Sequence, residues 1–282
     1  MKLLNLNCWE FAFFDKIVDF VHKENPEIIA FQEASTSPIV KESIIGEYKD
    51  VPDFLEALSK EINYKYIFAP SWGVISKDGI NKYKGVVIFY KPNIELIDFH
   101  FKNFSNYLEY PILTNEWEDG LLIAKTKKEK YIHSWKKPLN YLYCLFKKND
   151  KYFKVITTQL CISYFCTETL QRLQQGKELA ELISNSLDIP TILCGDFNIT
   201  ADSETIKEIS DKGMKIETID LKNSLEEKVH PMFDPSRVMT GSSSSGYCVD
   251  HILTKNIKNS VLKTFQGEAI SDHIAMTLEF EV

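Results

Sequence analysis

Short runs rich in Val, Ile, Leu, Phe and Tyr recur along the chain, at 2–7, 27–31, 64–69, 85–90, 94–101, 120–125, 141–146, 153–159, 191–194, 248–254 and 273–280. Their length and their β-branched and aromatic content predict strands. Three stretches carry helical spacing instead. Residues 13–23 place Phe13, Ile17, Phe20 and Val21 on one face. Residues 53–61 form a shorter helix, with Pro52 suited to the first helical position. Residues 169–184 place Leu170, Leu173, Leu179, Ala180 and Ile183 on one side. Many strands with few helices predict a sheet sandwich carrying helices on its outer faces.

One pattern occurs twice. A helix is followed by Asn25-Pro26, the apolar run Ile28-Ile29-Ala30-Phe31, and then Gln32-Glu33; a second helix is followed by Ile189-Pro190, the run Thr191-Ile192-Leu193-Cys194, and then Gly195-Asp196. Continuous apolar runs belong to strands buried on both faces. An acid where such a strand ends sits at the rim of the core, where sites are built. Two such units predict two layers, each delivering a carboxylate to a common edge. The serine-rich stretch 239–246 reads as a surface loop, because about 36 residues follow it, too few for another domain.

Composition adds limits. The 282 residues are 44% hydrophobic and 26% charged, which suits a folded protein and not a disordered or collagen-like one. The length is within reach of one large sandwich, and a single domain over 1–282 is expected. No apolar run approaches the roughly 18 residues that span a bilayer, and the N-terminus lacks the apolar core of a signal peptide. A cytoplasmic protein is the expectation. The six cysteines form no C-x-x-C pair and have no histidine cluster beside them, so free thiols are expected rather than zinc ligands or disulfides.

The net charge is −7, and Arg172 and Arg237 are the two arginines. Scarce arginine weakens a broad nucleic-acid footprint. The bases are uneven, however: residues 125–154 hold ten lysines against Glu129 and Asp150, interleaved with Tyr131, Trp135, Tyr141, Tyr143, Phe146, Tyr152 and Phe153. This insertion or hairpin could contact a phosphodiester backbone or an anionic membrane surface, or it could be a solvated hairpin with its aromatics turned inward. Lys127, Lys128, Lys136 and Lys137 are the candidate substrate contacts.

Four motifs stand in order: Leu6-Asn7-Cys8-Trp9, Gln32-Glu33, Gly195-Asp196-Phe197-Asn198 and Ser271-Asp272-His273. Together they supply carboxylates, carboxamides and an Asp-His pair, each beside an apolar strand. Such an oxygen-rich set suits Mg²⁺, or Mn²⁺ in its place. In order and spacing the set resembles the endonuclease/exonuclease/phosphatase superfamily, the DNase I-like group, over nearly the whole chain. The resemblance implies a four-layer α/β sandwich, with two packed mixed β-sheets flanked by helices. It also implies a Mg²⁺-dependent phosphodiester hydrolase. Glu33 would be the main metal ligand, helped by Asn7 and Asp272. Asp196 would orient or deprotonate the attacking water, and Asn198 would hold that water or a phosphate oxygen. His273 would contact the phosphate or act as general base. Asp250, in Val249-Asp250-His251, matches the acid that orients this histidine, while His251 reads as a core residue.

One position departs from the family pattern. Thr157-Thr158-Gln159-Leu160 stands where members usually show Thr-His-Leu. Gln159 can donate a hydrogen bond but cannot carry charge, so a reduced rate is expected, with the fold unaffected. Three readings follow. Nucleic acid is the favoured substrate, as for an endo- or exonuclease or a DNA-end phosphodiesterase. A lipid or inositol phosphoesterase, with 99–110 touching a headgroup, is the alternative. A phosphate-binding protein attenuated by Gln159 is the third.

Overall fold

The computed structural model describes residues 1–37, 53–75, 81–104, 117–118, 121–122, 139–162, 166, 168–185, 188–229 and 247–282. Two six-stranded mixed sheets form the centre. The first has the order β13-β14-β1-β2-β4-β3, from β1 (Lys2–Asn7), β2 (Ile28–Ser35), β3 (Lys65–Ile75), β4 (Asn81–Tyr90), β13 (Lys258–Thr264) and β14 (Met276–Glu281). The second has the order β11-β12-β10-β9-β8-β5, from β5 (Glu95–Asn103), β8 (Asn140–Lys148), β9 (Lys151–Gln159), β10 (Thr191–Asp196), β11 (Lys215–Ile216) and β12 (Asp250–Lys255). The short strands β6 (Trp117–Glu118) and β7 (Leu121–Leu122) pair with each other.

Helices α1 (Phe14–Glu24), α2 (Phe54–Ile62), α3 (Leu170–Ser184) and α4 (Glu204–Ser210), with a short 3₁₀ turn at Trp9–Phe11, complete the described elements. Three apolar clusters separate four layers. Between the sheets, Leu3, Ile28, Val86 and Ile88 meet Leu142, Phe146, Val155 and Ile192. Outside the first sheet, Phe14, Ile17, Phe54 and Leu58 pack on Leu4, Phe31 and Phe89. Outside the second, Leu179, Ile183, Ile206 and Ile209 pack on Ile156, Leu193 and Leu253. This is the expected sandwich, and the apolar runs of β2 and β10 are continuous because each lies between two of these clusters.

The repeated unit is a parallel crossover in each sheet: β1 pairs β2 across α1, and β9 pairs β10 across α3. Both crossovers therefore end their second strand at the same edge of the sandwich. Details differ from the sequence reading at element ends. Phe13 is the residue before α1 and Phe14 is the buried one. Asp53 caps α2, its side chain accepting from the Leu55 and Glu56 amides, so the helix starts after it rather than at Pro52. Thr169 caps α3, and Leu170, in the first turn, is 87% exposed. The small helix α4 and the edge strand β13 carry too little apolar periodicity to be found from sequence; β13 is mostly exposed.

Within 125–154, the described part is the β8–β9 hairpin, which buries Tyr141, Tyr143, Phe146 and Phe153 and leaves Tyr152 exposed. Those aromatics are core, as the inward-facing reading has it. Lys127, Lys128, Lys136, Lys137 and the 239–246 loop lie outside the described residues. All six cysteines are free; Cys166 is half-buried and the others are buried. Among the described residues no helix is long and apolar enough to cross a membrane.

Candidate active site

The site forms where β1, β2, β9 and β10 end and β12 begins. Gln159, Asp196 and Asp250 lie in one row across the second sheet, each the registered partner of the next. Asn7 is registered with Gln32 in the first sheet. The pairing of β9 with β10 requires glycine beside Asp196: Gly195 has φ +155, and a Cβ there would sit 2.0 Å from the Thr158 carbonyl oxygen.

Glu33 reaches the site through a bulge. The β2–β4 register shifts between Phe31 and Ala34, and Glu33 adopts φ 53. The bulge turns consecutive side chains to different tasks. Gln32 goes into the sandwich, where its Nε2 donates to Thr157 Oγ1 at 2.8 Å and Asn5 Oδ1 at 2.9 Å. Glu33 faces the edge, where Lys84 Nζ donates to Oε2 at 2.5 Å and Gln159 Nε2 donates to Oε1 at 2.8 Å. Burial would raise the Glu33 carboxyl, but Lys84 and Gln159 outweigh it and hold it down at about 2.

Asp196 is enclosed by donors. Asn7 Nδ2 donates to Oδ2 at 3.0 Å, Gln159 Nε2 to the same oxygen at 3.3 Å, and the Asn198 amide to Oδ1 at 2.9 Å. Burial, with Asp250 adding to it, still pushes this carboxyl up to about 7, His273 pulling the other way. Asn198, at φ 53, anchors its side chain by donating from Nδ2 to the Leu160 carbonyl at 2.9 Å.

His273 and Asp250 form a buried pair, Nδ1 to Oδ2 at 2.8 Å. Burial alone would lower the histidine, but Asp250 and Asp272 raise it well above its usual value. The Nδ1–H therefore points at Asp250, which leaves chemistry to Nε2. Asp272 is pushed up to about 6, chiefly by burial, with Glu33 contributing. Ser271 ties this segment to β1: its Oγ donates to the Asn7 carbonyl at 2.6 Å and lies 3.1 Å from Asp272 Oδ1.

His251 is a core residue. Its Nε2 donates to the Ile199 carbonyl at 2.7 Å and its Nδ1 accepts from Thr218 at 3.0 Å, and burial lowers its pKa.

The structure thus brings together Asn7, Glu33, Gln159, Asp196, Asn198, Asp250, Asp272 and His273. It adds three residues that the sequence reading missed. Lys84 sits opposite Ser35 in β4 and bridges Glu33 and Glu10, the latter at 3.0 Å. Ser224 fixes the histidine pair: its Oγ accepts from the Val249 and Asp250 amides, while its carbonyl accepts from the Ile274 amide. A lysine just before an apolar run, a glutamate in a turn and a serine in a loop have no sequence signature. Their roles come from register and from neighbours distant in sequence.

The donor set fits a divalent cation. Glu33, Asn7 and Asp272 present only oxygen to such an ion, which suits Mg²⁺. Five carboxylates, Glu10, Glu33, Asp196, Asp250 and Asp272, share the cluster with two cationic partners, Lys84 and His273. Burial is the main cause of the raised carboxyls of Asp196 and Asp272, and the neighbouring acids Asp250 and Glu33 add to it. Among the described residues no three His, Cys, Asp or Glu side chains close into a ready-made metal cage.

The profile of the Endonuclease/Exonuclease/phosphatase family matches residues 4–273. No curated protein sequence matches the chain. Among solved structures, an endonuclease/exonuclease/phosphatase family protein from Leptotrichia buccalis is similar at TM-score 0.65 and 13% identity, with both chains fully covered. TDP2 from Caenorhabditis elegans is similar at TM-score 0.61 and 14% identity, covering 100% of this chain and 75% of that one. A mannosyl-6-phosphatase from Bacteroides thetaiotaomicron is similar at TM-score 0.58 and 16% identity, with both chains fully covered. At these identities the neighbours share the fold, and the profile match from the first strand to His273 carries the assignment. The chain belongs to the endonuclease/exonuclease/phosphatase family.

Proposed function

We propose that this protein is a Mg²⁺-dependent phosphodiester hydrolase, with nucleic acid as the favoured substrate. The observation that supports it most is the convergence of the Asp250–His273 pair, Asp196 and Glu33 at one sheet edge, linked across the two sheets by Asn7 and Gln159. The Mg²⁺ ion would be held by Glu33, Asn7 and Asp272 and, when bound, would neutralise charge on the phosphate oxygens.

The chain's own groups do the rest. Asp196, with a carboxyl near 7, accepts a proton from the attacking water close to neutral pH. The hydrogen bonds from Asn7 and from the Asn198 amide fix the direction of that carboxylate. His273, cationic beside Asp250, donates from Nε2 to a phosphate oxygen as charge grows there. Gln159 holds Glu33 and Asp196 at a set separation. Lys127, Lys128, Lys136 and Lys137 would supply the preference for a polyanion.

The test is a panel of plasmid DNA, oligonucleotides, an aryl phosphodiester, sphingomyelin and a sugar phosphomonoester, each with Mg²⁺ and with chelator. Cleavage of the nucleic acids that chelator stops, together with loss of Mg²⁺ binding in Glu33→Ala by calorimetry, is the expected result. Turnover confined to sphingomyelin or to the monoester would reject the nucleic-acid preference. Unchanged Mg²⁺ affinity in Glu33→Ala would reject the metal assignment.

A further inference from the structure

We propose that Lys84 and Glu10 form an internal counter-ion relay for the cation site, in which the Lys84 ammonium neutralises Glu33 when no divalent ion is bound and passes to Glu10 when one arrives. The inference rests on the reading of Glu33 as a metal ligand. Its basis is a shared ammonium. Lys84 Nζ is 2.5 Å from Glu33 Oε2 and 3.0 Å from Glu10 Oε1, and the three side chains are only 13%, 23% and 10% exposed. An ammonium in that position occupies a Glu33 oxygen that a metal ion would use, and it repels the ion besides.

A lysine meant only to neutralise Glu33 would need one acid. Here a second is supplied at visible structural cost. Glu10 lies in the 3₁₀ turn Trp9–Phe11, where Trp9, Glu10 and Phe11 all have positive φ, at 45, 54 and 59. Three successive non-glycine residues in the left-handed region are strained and persist only when their surroundings enforce them. Ser35 Oγ donates to the Glu10 carbonyl at 3.4 Å, which ties the turn to the strand opposite Lys84. The second acid gives the ammonium a place to stay when Glu33 turns to a metal ion. Without it, a nearly buried charge would be left unpaired, which is costly.

Lys84 and Glu10 therefore act in opposite senses on metal affinity, and this separates a relay from mere scaffolding. The experiment is calorimetric titration of Mg²⁺ and Mn²⁺ into the full chain, as wild type, Lys84→Met, Lys84→Arg, Glu10→Gln and Glu33→Gln, with circular dichroism to check folding. Lys84→Met should bind the ion more tightly by about 10-fold or more, because a like charge has been removed from its immediate vicinity. Glu10→Gln should bind it more weakly, by about 3-fold or more, because the ammonium is then confined to Glu33. Lys84→Arg keeps the charge and should stay close to wild type. If Lys84→Met fails to fold, the weakening in Glu10→Gln still decides the matter. A loss of affinity in both Lys84→Met and Glu10→Gln, or no change in either while Glu33→Gln abolishes binding, would overturn the relay and leave the metal site standing. No binding by any form would overturn the metal reading of Glu33 and the relay with it.

Discussion

Asp196 and Asp272 are carboxyls whose pKa values rise on folding, from 3.8 to about 7 and from 3.8 to about 6. A raised acid contributes stability that is complete below its unfolded value and is lost as pH rises through its folded one. His273, also raised, acts in the same direction. Glu33, held at about 2, contributes in full above its ordinary value and is constant through the neutral range. The chelated protein should therefore melt at a lower temperature at pH 8 than at pH 6, by several degrees, since 1 kcal/mol moves Tm by about 2–4 °C at a comparable size. Added Mg²⁺ should narrow the gap, because a nearby cation favours the ionised form of both carboxyls. Melting curves at both pH values, with and without the ion, check this, and a chelated protein more stable at pH 8 would contradict it. Gln159 supplies the second residue-scale expectation. Its amide reaches Glu33 and Asp196 but carries no charge, and charge-assisted donors are roughly twice as strong as neutral ones. Gln159→His should raise kcat about 10-fold on the true substrate. The Mg²⁺ dependence should move as well, because the residue touches Glu33.

At the scale of elements, the site depends on strand ends held in register. The row Gln159–Asp196–Asp250 exists because β9 and β10 pair without a shift to their last residues and β12, antiparallel, pairs with β10 from its first. Gly195, in the next row between Thr158 and His251, permits the close approach of β9 to β10. Gly195→Ala should cost about 3 kcal/mol or more, since the added Cβ meets the Thr158 carbonyl and φ +155 is unfavourable to alanine. The loss should show as a lower denaturation midpoint, and a midpoint equal to that of the wild type would mean that β9 and β10 can part without consequence. The bulge at Gln32-Glu33 works the other way. It breaks the register so that one side chain enters the sandwich and the next faces the site, and the 3₁₀ turn after β1 brings Glu10 over Lys84.

At the scale of the whole molecule, a net charge of −7 and two arginines leave the lysine-rich segment as the main attraction for a polyanion. Replacing Lys127, Lys128, Lys136 and Lys137 with serine should flatten the salt dependence of DNA binding by about 0.9 in log–log slope for each phosphate left without its lysine. A slope that does not move would mean these lysines only solvate the surface. The sequence by itself determined the layers, because burial on both faces of β2 and β10 requires unbroken apolar runs, and such runs are visible in one dimension. It also determined the acids, amides and histidine of the motifs, since each directly follows or precedes such a run. Tertiary structure alone decided what joins them. Lys84 meets Glu33 through the pairing of β2 with β4, Ser224 gathers Asp250 and Ile274 from separate segments, and Gln159 spans the acids of both sheets. The physical reason is that apolar periodicity records which side of a strand is buried, whereas an ion pair depends on which two strands are neighbours and at what register.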